Sequence, residues 1–197
     1  MAAEKLTRDT LMGLEQYAEE RTEFRRKVMA HKAKRRAHIG DNATFIFEDR
    51  LTMQYQVQEM LRIERIFEAA GIEEELGAYN PLIPDGDNWK ATFQVEFDDP
   101  KERAERLTQL IGIEDRVWVR AGVDGERVYA IADEDLDRAT EEKTSAVHFL
   151  RFQLDASFIQ ALKGGAVLAM GIDHANYDHA LEPVPDHLRE SLLADLD

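Results

Sequence analysis

A change of hydrophobic period at AYNPLIPDGDNW, residues 78–89, constrains this chain more than any other feature. Before it, apolar residues recur at helical spacing: Leu14, Tyr17, Phe24, Val28 and His31 stand three, four or seven apart, with Glu15, Glu19, Glu20, Glu23 and Lys27 among the rest. That pattern predicts an amphipathic helix from Leu14 to about His38, stopped by Gly40-Asp41-Asn42, and a second helix from about Asp49 to before Gly71. After the Pro- and Gly-rich stretch, WKATFQVEF (89–97) alternates as a strand does. PKERAERLTQLIG then reads as a helix with proline at its start and glycine at its end.

VWVRAGVDGERVYAIAD places Asp124-Gly125 between two apolar runs, a hairpin signal. Further strands fit Ala146 to Leu154 and Val167 to Asp173, with a short helix over Ala156 to Lys163. Several of these strands are joined too closely for parallel crossovers. The expected fold is therefore α+β over residues 1–197 as a single domain. A helical hairpin (1–70) packs on a roughly five-stranded antiparallel or mixed sheet with additional short helices (71–197).

Composition narrows the chemistry. Cysteine is absent, which removes disulfides, thiolate metal ligation and iron–sulfur ligation by this chain. Any metal would need His, Asp or Glu. MAAEKLTRDTL lacks the apolar core of a secretion signal, and no run approaches the roughly 18–20 apolar residues that cross a bilayer. The expectation is a cytoplasmic protein with no membrane partner. The formal net charge is −15, and the acidity is regional: residues 1–70 carry 13 basic and 12 acidic groups, residues 71–197 carry 12 and 28. The basic run FRRKVMAHKAKRR is spread around a helix without interleaved aromatics, which disfavours nucleic acid and favours intramolecular pairing.

The second helix holds the polar residues of interest. Gln54, Gln58, Arg62 and Arg65 share one sector and form a solvated stripe suited to a partner protein. Met53, Val57, Met60 and Leu61 lie largely opposite, and Thr52, Gln56 and Glu59 fall between apolar rows on a stripe that faces protein, with Glu64 between Met53 and Val57. A buried carboxylate needs a partner. Three readings fit Glu59 and Glu64: an ion pair to Arg21, Arg25 or Arg35 that fixes the hairpin, a ligand, metal or catalytic role, or exposure at the surface. Asp49, just before the helix, suits an N-cap.

Six histidines are present without HExxH, EF-hand or phosphate-loop patterns. His148 shares a strand face with Leu150 and Phe152, opposite Arg151; it is either a satisfied core histidine or a ligand. His174, where the last expected strand opens into a loop with Asn176, Tyr177, Asp178 and His179, either makes a turn network or faces a cleft. The candidate polar pocket is Thr52, Gln56, Glu59, Glu64, His148, His174 and Tyr177. The candidate metal set is Glu59, Glu64, His148 and His174, a donor mixture suited to non-haem iron or another divalent transition metal.

FEDRLTMQYQVQEMLRIE, preceded by KAKRRAHIG and followed by AYNPLIP, together with AVHFLRF and GIDHANY, resembles a bacterial domain-of-unknown-function family of about this length. The shared block covers Arg35, Arg36, Gly40, Phe47, Glu48, Arg50, Thr52, Gln56, Glu59, Met60, Arg62, Glu64, Tyr79, Asn80, Pro81 and Pro84, then His174 and Tyr177. Genes of that family often stand beside those of rubrerythrin-like and iron–sulfur proteins. The resemblance thus implies an accessory protein that binds a partner in a redox or oxidative-stress system. The alternatives are a metal-dependent oxidoreductase or hydrolase with a His/carboxylate site, and a structural or interaction module without a ligand.

Overall fold

The computed structural model describes residues 3–136, 138–140 and 142–197. Six α-helices and nine strands follow one another as α1 (Leu14–Ala33), β1 (Arg36–His38), β2 (Ala43–Glu48), α2 (Arg50–Glu64), α3 (Ala69–Tyr79), β3 (Asn88–Val95), α4 (Pro100–Gln109), β4 (Val117–Ala121), β5 (Val128–Tyr129), β6 (Ile131–Ala132), β7 (Val147–Gln153), α5 (Ala156–Lys163), β8 (Leu168–His174), β9 (Tyr177–Leu181) and α6 (Asp186–Leu193), counted among the described residues. No helix among them is long and apolar enough to cross a membrane.

The class is α+β, with every strand pair antiparallel, but the strands are divided between two sheets. One has five strands in the order β1-β2-β3-β7-β6, the other four in the order β5-β4-β8-β9. Alternation explains the division of labour on each strand. Phe45, Phe47, Trp89, Phe93 and Phe152 of the first sheet share one apolar cluster with Val117, Val119, Leu168, Met170 and Ile172 of the second. Phe158 and Leu162 of α5 and Leu188 and Leu192 of α6 complete that core. Each of these side chains stabilises the fold by roughly 1.5–3 kcal/mol on burial.

The N-terminal helices have cores of their own. Met53, Val57 and Leu61 of α2 pack with Leu6, Leu76 and Ile83, while Tyr17, Phe24 and Val28 of α1 form a third cluster with Leu51 and Tyr55 packed against it. Asp49 is the N-cap of α2: its side chain accepts from the Thr52 amide at 2.9 Å, and the Thr52 hydroxyl accepts from the Asp49 amide at 2.9 Å.

Two expected boundaries change. The first helix ends at Ala33 rather than His38, and Arg36–His38 pairs with β2 instead. The cause is Arg35, which is 1% exposed and donates to the carbonyls of Phe47 and Glu48 and to Asp195 and Ser191. Those four partners fix the chain in a turn that helical composition alone does not reveal. The second change is α3, which runs through Gly71 and Gly77. Leu76 anchors it against α2, so packing overrides the unfavourable glycine propensity.

Candidate functional site

The outer face of the five-stranded sheet forms the floor of a broad concavity. Across its ladder Glu48 opposes Lys90, Lys90 opposes Arg151, and Arg151 opposes Ile131. Directly opposed residues project to the same side, so one row carries an acid beside two cations. The next row, Ile46–Thr92–Phe149, brings an aromatic ring beside them.

The chain leaving α3 supplies the facing wall. Asn80 clamps the N-terminal segment, accepting from the Leu6 amide at 2.8 Å and donating to the Leu6 carbonyl at 2.9 Å. Lys90 reaches up to the Pro81 carbonyl at 2.6 Å. Between wall and floor lies a cavity of about 720 Å³, with Tyr79, Pro81, Leu82 and Phe149 as apolar surface and Lys90, Arg151, Glu134 and Asp135 as charged surface. That size and mixture match small-molecule sites in general.

The charges there are locally balanced. Arg151 holds Glu134 through two hydrogen bonds, Nε at 2.8 Å and Nη2 at 2.7 Å, and its Nη1 donates to Gln153 at 2.6 Å. These bonds from Arg151 keep the Glu134 carboxyl below the usual range. Burial pushes Asp85 up, but hydrogen bonds from Lys5, Asn88 and Lys90 outweigh it and bring the group down to about 2. Arg138 lies over the Phe149 ring at 4.6 Å and pairs with Asp135 at 2.7 Å. Glu48, 3% exposed, accepts from Thr92 through Oε1 at 2.7 Å, whereas its buried Oε2 has no hydrogen-bond partner among the described residues. Hydrogen-bonded cations beside apolar walls equip this cavity to bind.

The residues singled out in the sequence fall into separate places. Glu59 accepts from the Tyr17 hydroxyl at 2.7 Å and from Arg21 at 2.7 and 2.8 Å, with Arg62 at 3.4 Å. The first-helix arginine is thus Arg21. Its hydrogen bond leads the causes that bring Glu59 down to about 2, against burial. Thr52 is spent on the cap of α2, Gln56 is half-buried, and Glu64 is exposed at the helix end.

His148 is fully buried. Its Nδ1 meets Asp133 at 2.6 Å and its Nε2 meets the Thr144 hydroxyl at 2.9 Å, which also donates to Glu114 at 3.1 Å. Asp133 adopts φ 50°, a left-handed conformation uncommon outside glycine, and also accepts from the Phe149 amide at 2.9 Å. His174 contacts the Ile111 carbonyl and accepts from the Asn176 amide, a turn network. Tyr177 begins β9, an element absent from the sequence-based expectation; its hydroxyl donates to the Ile39 carbonyl at 2.6 Å and accepts from the Asn42 amide at 3.0 Å. The hydrogen-bond partners of Glu59, His148 and His174 are all different. Among the described residues no group of three or more His, Asp and Glu side chains is placed to hold a metal ion.

The expected solvated stripe of α2 is divided. Gln58 is 0% exposed, because it accepts from the Met12 amide at 2.7 Å and donates to the Met12 carbonyl, and Gln54 donates to the Thr10 carbonyl. The N-terminal segment covers these two, a contact that helical periodicity cannot anticipate. Arg62 and Arg65 remain exposed. Lys90 and Phe149 carry no motif of their own in the sequence, although the alternation of WKATFQV and VHFLRF places Lys90, Thr92, Phe149 and Arg151 on the faces opposite the core.

Comparisons with known proteins agree with this architecture. A family model described as "Protein of unknown function (DUF3501)" matches residues 5–196. A crystal structure of a novel protein of unknown function from Burkholderia pseudomallei K96243 is similar at a TM-score of 0.92 and 49% identity, covering 98% of this chain and 100% of that one. No curated protein matches.

Proposed function

We propose that this chain, which belongs to the DUF3501 family, is a non-catalytic accessory protein of a redox or oxidative-stress system whose working part is the cavity between α3 and the five-stranded sheet. The cavity holds a small amphipathic molecule. One observation carries this reading: about 720 Å³ of space bounded by Tyr79, Pro81, Leu82 and Phe149, with Lys90 and Arg151 on the floor. The polar clusters around Glu59 and His148 are engaged internally instead. The redox setting rests on the family resemblance and its rubrerythrin-like and iron–sulfur neighbours.

Titration with the neutral fluorophore N-phenyl-1-naphthylamine tests the cavity. The expected result is saturable one-to-one binding that disappears in Ala78→Trp, which fills the space from α3. Equal binding by both proteins would contradict the reading.

A second reading concerns the partner. At the end of α2 Ile63 is 58% and Phe67 63% exposed, flanked by Arg62 and Arg65. Aromatic and arginine side chains are favoured interface anchors, so this patch suits docking of a rubrerythrin-like or iron–sulfur protein. Copurification with such a protein, lost when Arg62 and Arg65 are both changed to Glu, would support it. Unchanged copurification would move the interface elsewhere.

A further inference from the structure

Lys90 and Arg151 stand directly opposite each other on neighbouring strands, and both face the cavity. Like charges in opposed positions repel and need an anion between or beside them. Asp85 supplies one to Lys90 at 3.2 Å, and Glu134, in the segment between β6 and β7, supplies one to Arg151, lying on its guanidinium in two-point geometry. Lys90, Arg151 and Glu134 are unequally held. The Lys90 and Arg151 side chains are 11% and 23% exposed, whereas that of Glu134 is 50% exposed. Pro81 and Gln153 further fix the two cations by hydrogen bonds at 2.6 Å each. The two cations are held by the scaffold, and the Glu134 carboxylate, the more exposed group, lies on Arg151 alone.

We propose that the cavity is a site for an amphipathic monocarboxylate, an apolar chain or ring bearing one carboxylate, and that Glu134 occupies the carboxylate position until the ligand replaces it on Arg151. This rests on the cavity-binding reading above and adds the chemical class of ligand.

The exchange is balanced in charge. A ligand carboxylate takes over the same fork that Glu134 releases, and the half-exposed Glu134 passes into water with little loss of packing. Because one anion replaces another, the desolvation of Arg151 is not increased. The net gain comes from the ligand's apolar part against Tyr79, Pro81, Leu82 and Phe149. A cationic amphiphile meets the opposite conditions: Lys90 and Arg151 repel it, and Glu134 and Asp135 are already engaged by Arg151 and Arg138. The chain as a whole is acidic, at −15. Long-range attraction therefore does not bring anions to it, and preference for a carboxylate must come from this local pair.

Calorimetric titration with octanoate, octanamide and octylammonium separates the parts. The proteins are the wild type, Glu134→Gln and Arg151→Gln, each checked for an intact thermal transition. The expected result is octanoate binding about fivefold tighter in Glu134→Gln than in the wild type, the upper end of what an exposed ion pair contributes. Arg151→Gln should lose the preference for octanoate over octanamide, and octanamide should bind all three within about threefold. Equal octanoate affinity in wild type and Glu134→Gln, or an undiminished preference in Arg151→Gln, would overturn the carboxylate assignment while octanamide binding kept the cavity reading. Failure of octanamide to bind any of the three would overturn both.

Discussion

Glu59 and Arg21 join α2 to α1 through a two-point ion pair, Nε to Oε1 at 2.7 Å and Nη2 to Oε2 at 2.8 Å. The Tyr17 hydroxyl donates at 2.7 Å, and Arg62 more distantly at 3.4 Å. A carboxylate on an inward stripe is explained by these donors. Removing the charge leaves Arg21 and Tyr17 a single neutral acceptor oxygen and sets an amide NH2 against the guanidinium, and Glu59→Gln is expected to cost on the order of 2 kcal/mol in urea denaturation. An unchanged midpoint and slope would show that the pair contributes nothing.

The same pair sets a pH dependence. The folded Glu59 carboxyl lies at about 2 against an ordinary value of 4.5. Because the folded value is lowered, its contribution is fully present above about 4.5 and is lost as pH falls towards 2. The stability difference between wild type and Glu59→Gln should therefore be constant at pH 6–7 and shrink steadily below about pH 4.5. A difference independent of pH between 6 and 3 would contradict it.

His148 buries an imidazole among Asp133, Thr144 and Glu114. His148→Ala should cost about 3 kcal/mol, because the Asp133 carboxylate and the Thr144 hydroxyl lose their shared partner in the interior. His148→Asn should recover part of the loss, since its amide can replace Nδ1 towards Asp133. Guanidinium denaturation of the three proteins provides the check, and equal losses in both variants would remove the hydrogen-bonding explanation.

How much of this was legible depends on which contacts are local. The Asp49 cap, the helices at Pro100–Gln109 and Ala156–Lys163, and the outward Arg151 follow from spacing within one segment. The strand at Arg36–His38 depends on Arg35 reaching Asp195, 160 positions away, and the covering of Gln58 depends on Met12, 46 positions away. No window of the sequence contains both members of either pair. The cavity was obscured for a related reason. Lys90, Arg151 and Glu134 come from three separate segments, and only the strand register aligns the two cations.

Gly40 tests the join between the sheets. It has φ +67°, and an added Cβ would stand 2.7 Å from the Tyr177 hydroxyl and 2.8 Å from the His179 ring. Gly40→Ala is expected to cost about 2 kcal/mol from backbone strain and the clash together. Tyr177→Phe should instead accelerate hydrogen exchange at the Asn42 amide, which loses its acceptor. Unchanged exchange there would mean that the hydroxyl does not hold the turn.

Glu59 and His148 already have protein partners on their polar atoms. The iron and zinc content of protein purified without an affinity tag should accordingly be the same in wild type and Glu59→Gln. Metal that is present in the wild type and lost in this variant would return Glu59 to the role of ligand.

The cavity is the central claim, and amide chemical-shift mapping tests it most directly. On titration of labelled protein with N-phenyl-1-naphthylamine, the largest shifts should cluster at Gly77, Ala78, Tyr79, Leu82, Lys90 and Phe149–Arg151, residues that line it. Shifts concentrated on α1 and α2, with those residues unmoved, would contradict the account.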